Sequence, residues 1–186
     1  MAEFLSFEDA AAWESWLREH HDRDSSVWLK IAKKGSGSAS VTVTEALDVA
    51  LCYGWIDSHR KGLDGKHFLQ KYSPRRARSS WSKVNVDKVE ALIAAGRMQP
   101  AGLEQVRAAR ADGRCDAAYE SQRTASVPPD LVAALDANDE AKRHFESLGR
   151  TDRYAVILRL LKARGPADRA ARLRKAVEAL SSSDDR

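Results

Sequence analysis

The chain has 186 residues, a net charge of +4, 43% hydrophobic residues and 31% charged residues. That is one globular domain, or one domain with a helical extension, long enough to bury a real core. No apolar run is long enough to span a bilayer. Two cysteines, Cys52 and Cys115, are too few for a disulfide framework, and no cysteine–histidine spacing suits zinc. No Gly-rich phosphate loop of the Walker or dinucleotide type appears, and Gly35-Ser36-Gly37-Ser38 lacks the spacing of an esterase elbow.

The amino terminus is acidic and lacks a signal-peptide pattern, so a cytoplasmic protein is expected. Residues 1–24 carry seven acids against two arginines, while Arg153 to Lys175 carries eight basic residues against Asp168. Ser6-Phe7-Glu8-Asp9 resembles a capping box, and Trp13, Trp16 and Leu17 recur at helical spacing, so a first helix is predicted from about Phe7 to His20. His20 and His21 point about 100° apart on a helix, which disfavours a shared metal. Val27, Leu29 and Ile31 alternate with Trp28 and Lys30, a strand pattern. Gly35 to Ser38 is a turn within the domain. Thr42 and Glu45 cap a second helix that ends at Tyr53 or Gly54. On its face Cys52 lies near Asp48 and the helix carboxyl end, where negative potential raises a thiol pKa. Cys52 is therefore read as a buried structural residue.

Trp55 to Leu63 and Lys66 to Tyr72 flank Asp64-Gly65 as a hairpin. From His59 to Lys83 there are eight Lys or Arg residues and one acid, Asp64. The run from Ser73 to Lys83 holds three guanidiniums and four hydroxyls around Pro74. Guanidiniums donate paired hydrogen bonds to anionic oxygens, and serines near a helix start add to exposed backbone N–H groups. This supports an anion-binding corner; the competing reading is a solvated loop whose arginines pair with acids. Asp57 either neutralises Arg75 or Arg76 or takes a proton. His59 and His67 sit on opposite arms of the hairpin as further acid–base candidates. Ser82 or Asn85 starts a third helix closed by Gly96, and Pro100 opens a fourth that ends at Asp112-Gly113. Tyr119 to Pro129 reads as a connecting loop. Asp130–Leu135, Asp139–Leu148, a helix capped by Thr151 or Asp152, and a last helix after Gly165-Pro166 follow. Ser181 to Arg186 reads as a frayed tail.

The predicted fold class is α+β: a small antiparallel sheet of about three strands packed by helices, with an all-helical carboxyl-terminal half. The predicted divisions are 1–118, an α+β domain, and 119–186, a helical region packed on it.

Glu45-Ala46, Cys52-Tyr53-Gly54-Trp55-Ile56-Asp57, Pro74-Arg75-Arg76, Ser79 with Trp81-Ser82, and Asn85, followed by Gly96-Arg97-Met98 and Pro100-Ala101-Gly102-Leu103, resemble the YdeI/OmpD-associated family, also called bacteriocin-protection proteins. Two departures are Cys115, where members have Trp in a Gly-Arg-Trp-Asp run, and Lys162 to Pro166, where they more often read Ala-Lys-Arg-Pro. The resemblance implies a non-enzymatic binding or protective protein linked to tolerance of antimicrobial peptides or envelope stress. Its ligand would be a peptide or small anion, and any link to an outer-membrane porin would be indirect.

The ligand-binding candidates on this reading are Trp55, Asp57, Arg75, Arg76, Ser79, Trp81, Ser82 and Asn85. No catalytic set is assigned, no cofactor or metal is expected, and nucleic acid is not the expected partner. Two alternatives remain beside it: an enzyme acting on an anionic small molecule, and a nucleic-acid-binding module using the basic hairpin with aromatic stacking.

Overall fold

The structure is a computed structural model that describes residues 4–23 and 26–182. Its fold class is α+β, with a helical carboxyl-terminal half. The chain resolves into two compact units. The first comprises residues 1–81 and 85–117; the second comprises residues 82–84 and 118–186.

The first unit holds a sheet of four strands, where three were expected: β1 (Leu5–Ser6), β2 (Val27–Ala32), β3 (Trp55–Gly62) and β4 (His67–Pro74), in the order β1-β2-β4-β3. The added strand β1 is two residues long and runs parallel to β2, with Leu5 opposite Leu29. It has no periodicity to read, and it takes Ser6 away from the predicted capping box. Helix α1 (Ala10–His20) therefore starts later and is capped by Asp9, whose Oδ1 accepts from Ala12 N at 2.8 Å. Helix α2 (Val43–Cys52) has the predicted capping box: Glu45 N donates to Thr42 Oγ1, and Thr42 N donates to Glu45. Helices α3 (Lys83–Ala94) and α4 (Pro100–Ala111) complete this part of the chain.

Register assigns each strand residue to a face, because side chains alternate and paired residues share a side. Val27, Tyr72 and Asp57 form one row, and Leu29, Gln70 and Arg60 the next. This face meets α1 and α2. Trp13 lies 5.7 Å from the Tyr72 ring and 6.4 Å, edge-on, from Trp55, and its Nε1 donates to Ala46 O. Trp13, Leu17, Leu29, Val49, Trp55 and Tyr72 are fully enclosed. Burial of this many large apolar side chains dominates the unit's stability.

The hairpin's β3–β4 pairing slips between Asp57 and Arg60. Three residues on β3 span what two span on β4, so Ser58 and His59 together oppose Lys71. This is a β-bulge, a device that re-aims side chains.

Two glycines carry specific geometry. Gly54 ends α2 at φ +75°, in the left-handed region. Gly102 lets α4 lie against the end of α2, since a Cβ there would come within 2.2 Å of Cys52 O.

The second unit contains α5 (Pro129–Asp136), α6 (Asp139–Ser147), α7 (Arg150–Leu161) and α8 (Pro166–Ser181). Leu131, Leu135, Phe145, Ile157, Leu160 and Leu180 form its core. Asp130 in the first turn of α5 takes a two-pronged ion pair from Arg169 of α8, at 2.6 and 2.8 Å. Asn138 caps α6 through Ala141 N. Ser181 is the last residue of α8; the remainder of the predicted tail, 183–186, lies outside the described residues.

Candidate functional site

The sheet face opposite α1 and α2 has its own composition. One row is Ile56 and Ser73, joined by Ser26 when the β2–β4 register is continued by one residue. The next is Trp28 and Lys71, with the bulged pair Ser58 and His59 beside them. The third is Lys30, Leu69 and Lys61. The first two rows, Trp28 excepted, line a groove of about 480 Å³, to which Pro74 at the end of β4 and Arg76 and Ser79 of the following loop add.

The loop is folded tightly. Ser79 N donates to Arg76 O at 3.1 Å, Arg78 sits at φ +63°, and Arg114 donates to Ser79 O. Among the described residues no carboxylate lines the groove. It offers a lysine, a guanidinium, a histidine and four hydroxyls, a set in which donors dominate. Such a set attracts anionic oxygens and repels cations.

The predicted site residues divide between this groove and the interior. Arg76 and Ser79 reach the groove. Trp55 is completely enclosed, and its Nε1 donates to His21 O at 3.0 Å. Trp81 is 2% exposed and Arg75 8%, and the Arg75 guanidinium stacks 3.7 Å above the Trp81 ring. Arg75 also donates to Ser79 Oγ at 3.3 Å, and its backbone N–H donates to Gly54 O at 2.9 Å. Arg75 therefore ties the loop to the core, and Trp55 and Trp81 present no face to a ligand. Asp57 lies on the helix-covered side, in register with Tyr72. Burial pushes its carboxyl above the usual range, while Arg60 and Arg75 pull it back. Ser82 bridges to Tyr119, and Asn85 lies in the first turn of α3; neither lines the groove.

The other candidates resolve as follows. His67 contacts Asp64 at 3.0 Å and pairs with Ala32, whereas His59 sits at the bulge, so the two histidines do not meet. Cys52 is buried, as expected, and its thiol is pushed up to about 11. The first cause is burial; Asp48, invoked from the sequence, is a minor contributor. Among the described residues no group of three His, Cys, Asp or Glu side chains suits a metal ion, and no helix is long and apolar enough to cross a membrane.

Sequence reasoning placed Ser73 in the anion-binding corner without selecting it as a ligand residue, and it missed Ser26, Ser58 and Lys71. The available signal was the alternation Lys71–Ser73 and Ser26–Trp28, which puts polar groups on the face opposite the buried one. The bulge that gathers Ser58 with His59 left no mark in the sequence.

No curated protein and no solved structure matches the chain. Two family models do. Residues 124–182 match the family described as bacteriocin-protection, YdeI or OmpD-associated. The motifs that suggested that family, from Glu45 to Leu103, instead fall within residues 5–105, which match a domain of unknown function, DUF8412. The chain thus belongs to the DUF8412 family and carries, over residues 124–182, the match to the bacteriocin-protection, YdeI or OmpD-associated family.

Proposed function

We propose that the protein is a non-enzymatic binding protein of the bacteriocin-protection type that takes a small anionic ligand in the serine-lined groove. One observation carries this reading. Among the described residues, the side chains of Ser26, Ser58, His59, Ser73 and Arg76 make no hydrogen bond to protein, yet they converge on one concavity without an acid. Polar groups that are left available and oriented together are what an anion needs. A cationic antimicrobial peptide is repelled by the same set. A role in peptide tolerance or envelope stress would therefore run through the bound anion, not through capture of the peptide in the groove.

His59 favours a second reading, an enzyme acting on an anionic small molecule, because an imidazole is a common general acid or base. Asp57, another acid–base candidate, faces the opposite side of the sheet. The binding reading has His59 as a donor only.

A thermal-shift screen of phosphorylated metabolites, dicarboxylates and cationic peptides tests this. Ligand binding to the native state raises the melting temperature with ligand concentration. One small anion should stabilise the wild type, and Arg76→Ala with Ser73→Ala should abolish the shift. His59→Gln should leave the affinity within about tenfold, since a single neutral hydrogen bond contributes about 0.5–1.5 kcal/mol. Stabilisation by cationic peptides alone, or by no anion at millimolar concentration, would sink the reading.

A further inference from the structure

We infer that the sheet face opposite α1 and α2, centred on Trp28 and flanked by Lys30, Lys61 and Lys71, binds single-stranded nucleic acid. The inference goes beyond the groove reading: it shares Ile56, Lys71 and Ser73 with the groove and adds Trp28, Lys30 and Lys61 outside it.

The first observation is charge segregation by register. The strand residues on this side are Trp28, Lys30 and Ala32 from β2, Ile56 and Lys61 from β3, and His67, Leu69, Lys71 and Ser73 from β4. No carboxylate is among them. Three lysines without a carboxylate among these strand residues produce a local positive field.

The second observation is the aromatic. Trp28 is half-buried, not enclosed, whereas Trp13, Trp55 and Trp81 are in the core. Two cations lie near its ring. Lys61 reaches from β3 across β4 to put Nζ 4.4 Å from the ring centroid, and Lys71 Nζ lies at 5.9 Å. A partly exposed ring with two ammonium groups beside it is suited to a π-faced ligand that also carries negative charge. A nucleobase stacks on the indole, and its phosphates take over the lysines.

The third observation is spacing. Rows on one face of a strand are about 6.6 Å apart. The Trp28 row and the row of Ser26 and Ser73 are neighbours, so a base on Trp28 sets its adjoining phosphate toward Ser73 and the Arg76 side of the groove. A duplex buries its base faces and has no use for Trp28. A simple polyanion has use for the lysines and none for the indole. Single strands use both.

The test uses the full chain and a fluorescently labelled 15-nucleotide oligothymidylate, read by anisotropy, with unlabelled inorganic polyphosphate as competitor. Wild type should bind at 50 mM salt. With about four phosphates engaged, the affinity should fall about fiftyfold on going to 200 mM. Trp28→Leu should weaken the oligonucleotide by at least fivefold, the lower end for loss of one stacked base, and leave polyphosphate within twofold. Lys61→Gln with Lys71→Gln should weaken both. Circular dichroism melting of each variant separates lost binding from lost folding; should Trp28→Leu melt early, Trp28→Phe, which keeps a smaller ring, takes its place and should bind between wild type and Lys61→Gln/Lys71→Gln. No anisotropy change at 50 mM salt overturns the inference. So does oligonucleotide binding that ignores the change at Trp28, which would mark general attraction of polyanions. If Arg76→Ala with Ser73→Ala loses the small anion but keeps Trp28-dependent oligonucleotide binding, groove and sheet face are separate sites. If the small-anion screen is blank and oligonucleotide binding persists, the groove reading alone fails.

Discussion

Arg75 and Arg76 are adjacent, identical in type and opposite in use. Arg75 is almost enclosed and stacks on Trp81, while Arg76 is exposed at the groove. A desolvated cation–π contact contributes about 2 kcal/mol, and truncating it also leaves the loop without its anchor. Arg75→Ala should therefore lower stability by about 2–3 kcal/mol in urea unfolding, and Arg76→Ala by less than about 0.5 kcal/mol. Equal stability losses would mean the stack carries no weight.

Asp57 gives a pH signature. Its carboxyl is raised by burial, so its folded pKa exceeds its unfolded one. A raised carboxylate favours the folded state when protonated, and that favour is lost as pH rises through the folded pKa. Asp57→Asn should therefore raise the melting temperature at pH 7, with the gain shrinking to nothing below about pH 3, where the wild-type carboxyl is neutral in both states. Thermal melts across that range check it; a variant less stable than wild type at pH 7 would show that Arg60 and Arg75 outweigh the burial.

Among the elements, the close approach of α2 and α4 is the most exacting. Gly102 sits where a Cβ would be 2.2 Å from Cys52 O and 2.7 Å from Leu51 O, both backbone atoms with little freedom to move. The same Cys52 carbonyl accepts from Gln99 N at 3.0 Å. Gly102→Ala should cost about 1–3 kcal/mol despite the better helix propensity of alanine. A neutral or stabilising change would mean the two helices separate easily.

The helices were legible because their ends are chemical. Thr42 with Glu45, Pro100, and Gly96 after α3 act within a few residues of themselves. β1 was not legible, since two residues pairing with β2 across more than twenty positions leave no local pattern. The bulge at Ser58 and His59 was invisible for the same reason: it exists only relative to Lys71 on the partner strand.

At the scale of the molecule, the first unit has one sheet face sealed by tryptophans and helices and another that is basic and partly exposed. The sequence placed the aromatic and basic groups in one stretch and so suggested one surface. The pleat separates them: Trp55 and Tyr72 go inward, while Lys61, Lys71 and Ser73 go outward. Arg76 and Ser79 were found from sequence because a loop of arginines and serines keeps its polar character whatever its register. Lys71 and Ser73 needed the strand pairing. The second unit, which carries the bacteriocin-protection match, has its own core and its own Arg169–Asp130 pair.

The measurement that tests the groove most directly is an amide chemical-shift titration of the wild-type chain with inorganic pyrophosphate. The groove predicts saturable shifts at Ser58, His59, Lys71, Ser73 and Ser79, with Trp55 and the α2 interior unmoved. A second concavity of about 500 Å³, near Lys33, Lys34 and the Gly35–Ser38 turn, serves as the internal comparison. Shifts concentrated there, or small linear shifts spread over all the lysines, would contradict the assignment of the anion to the groove.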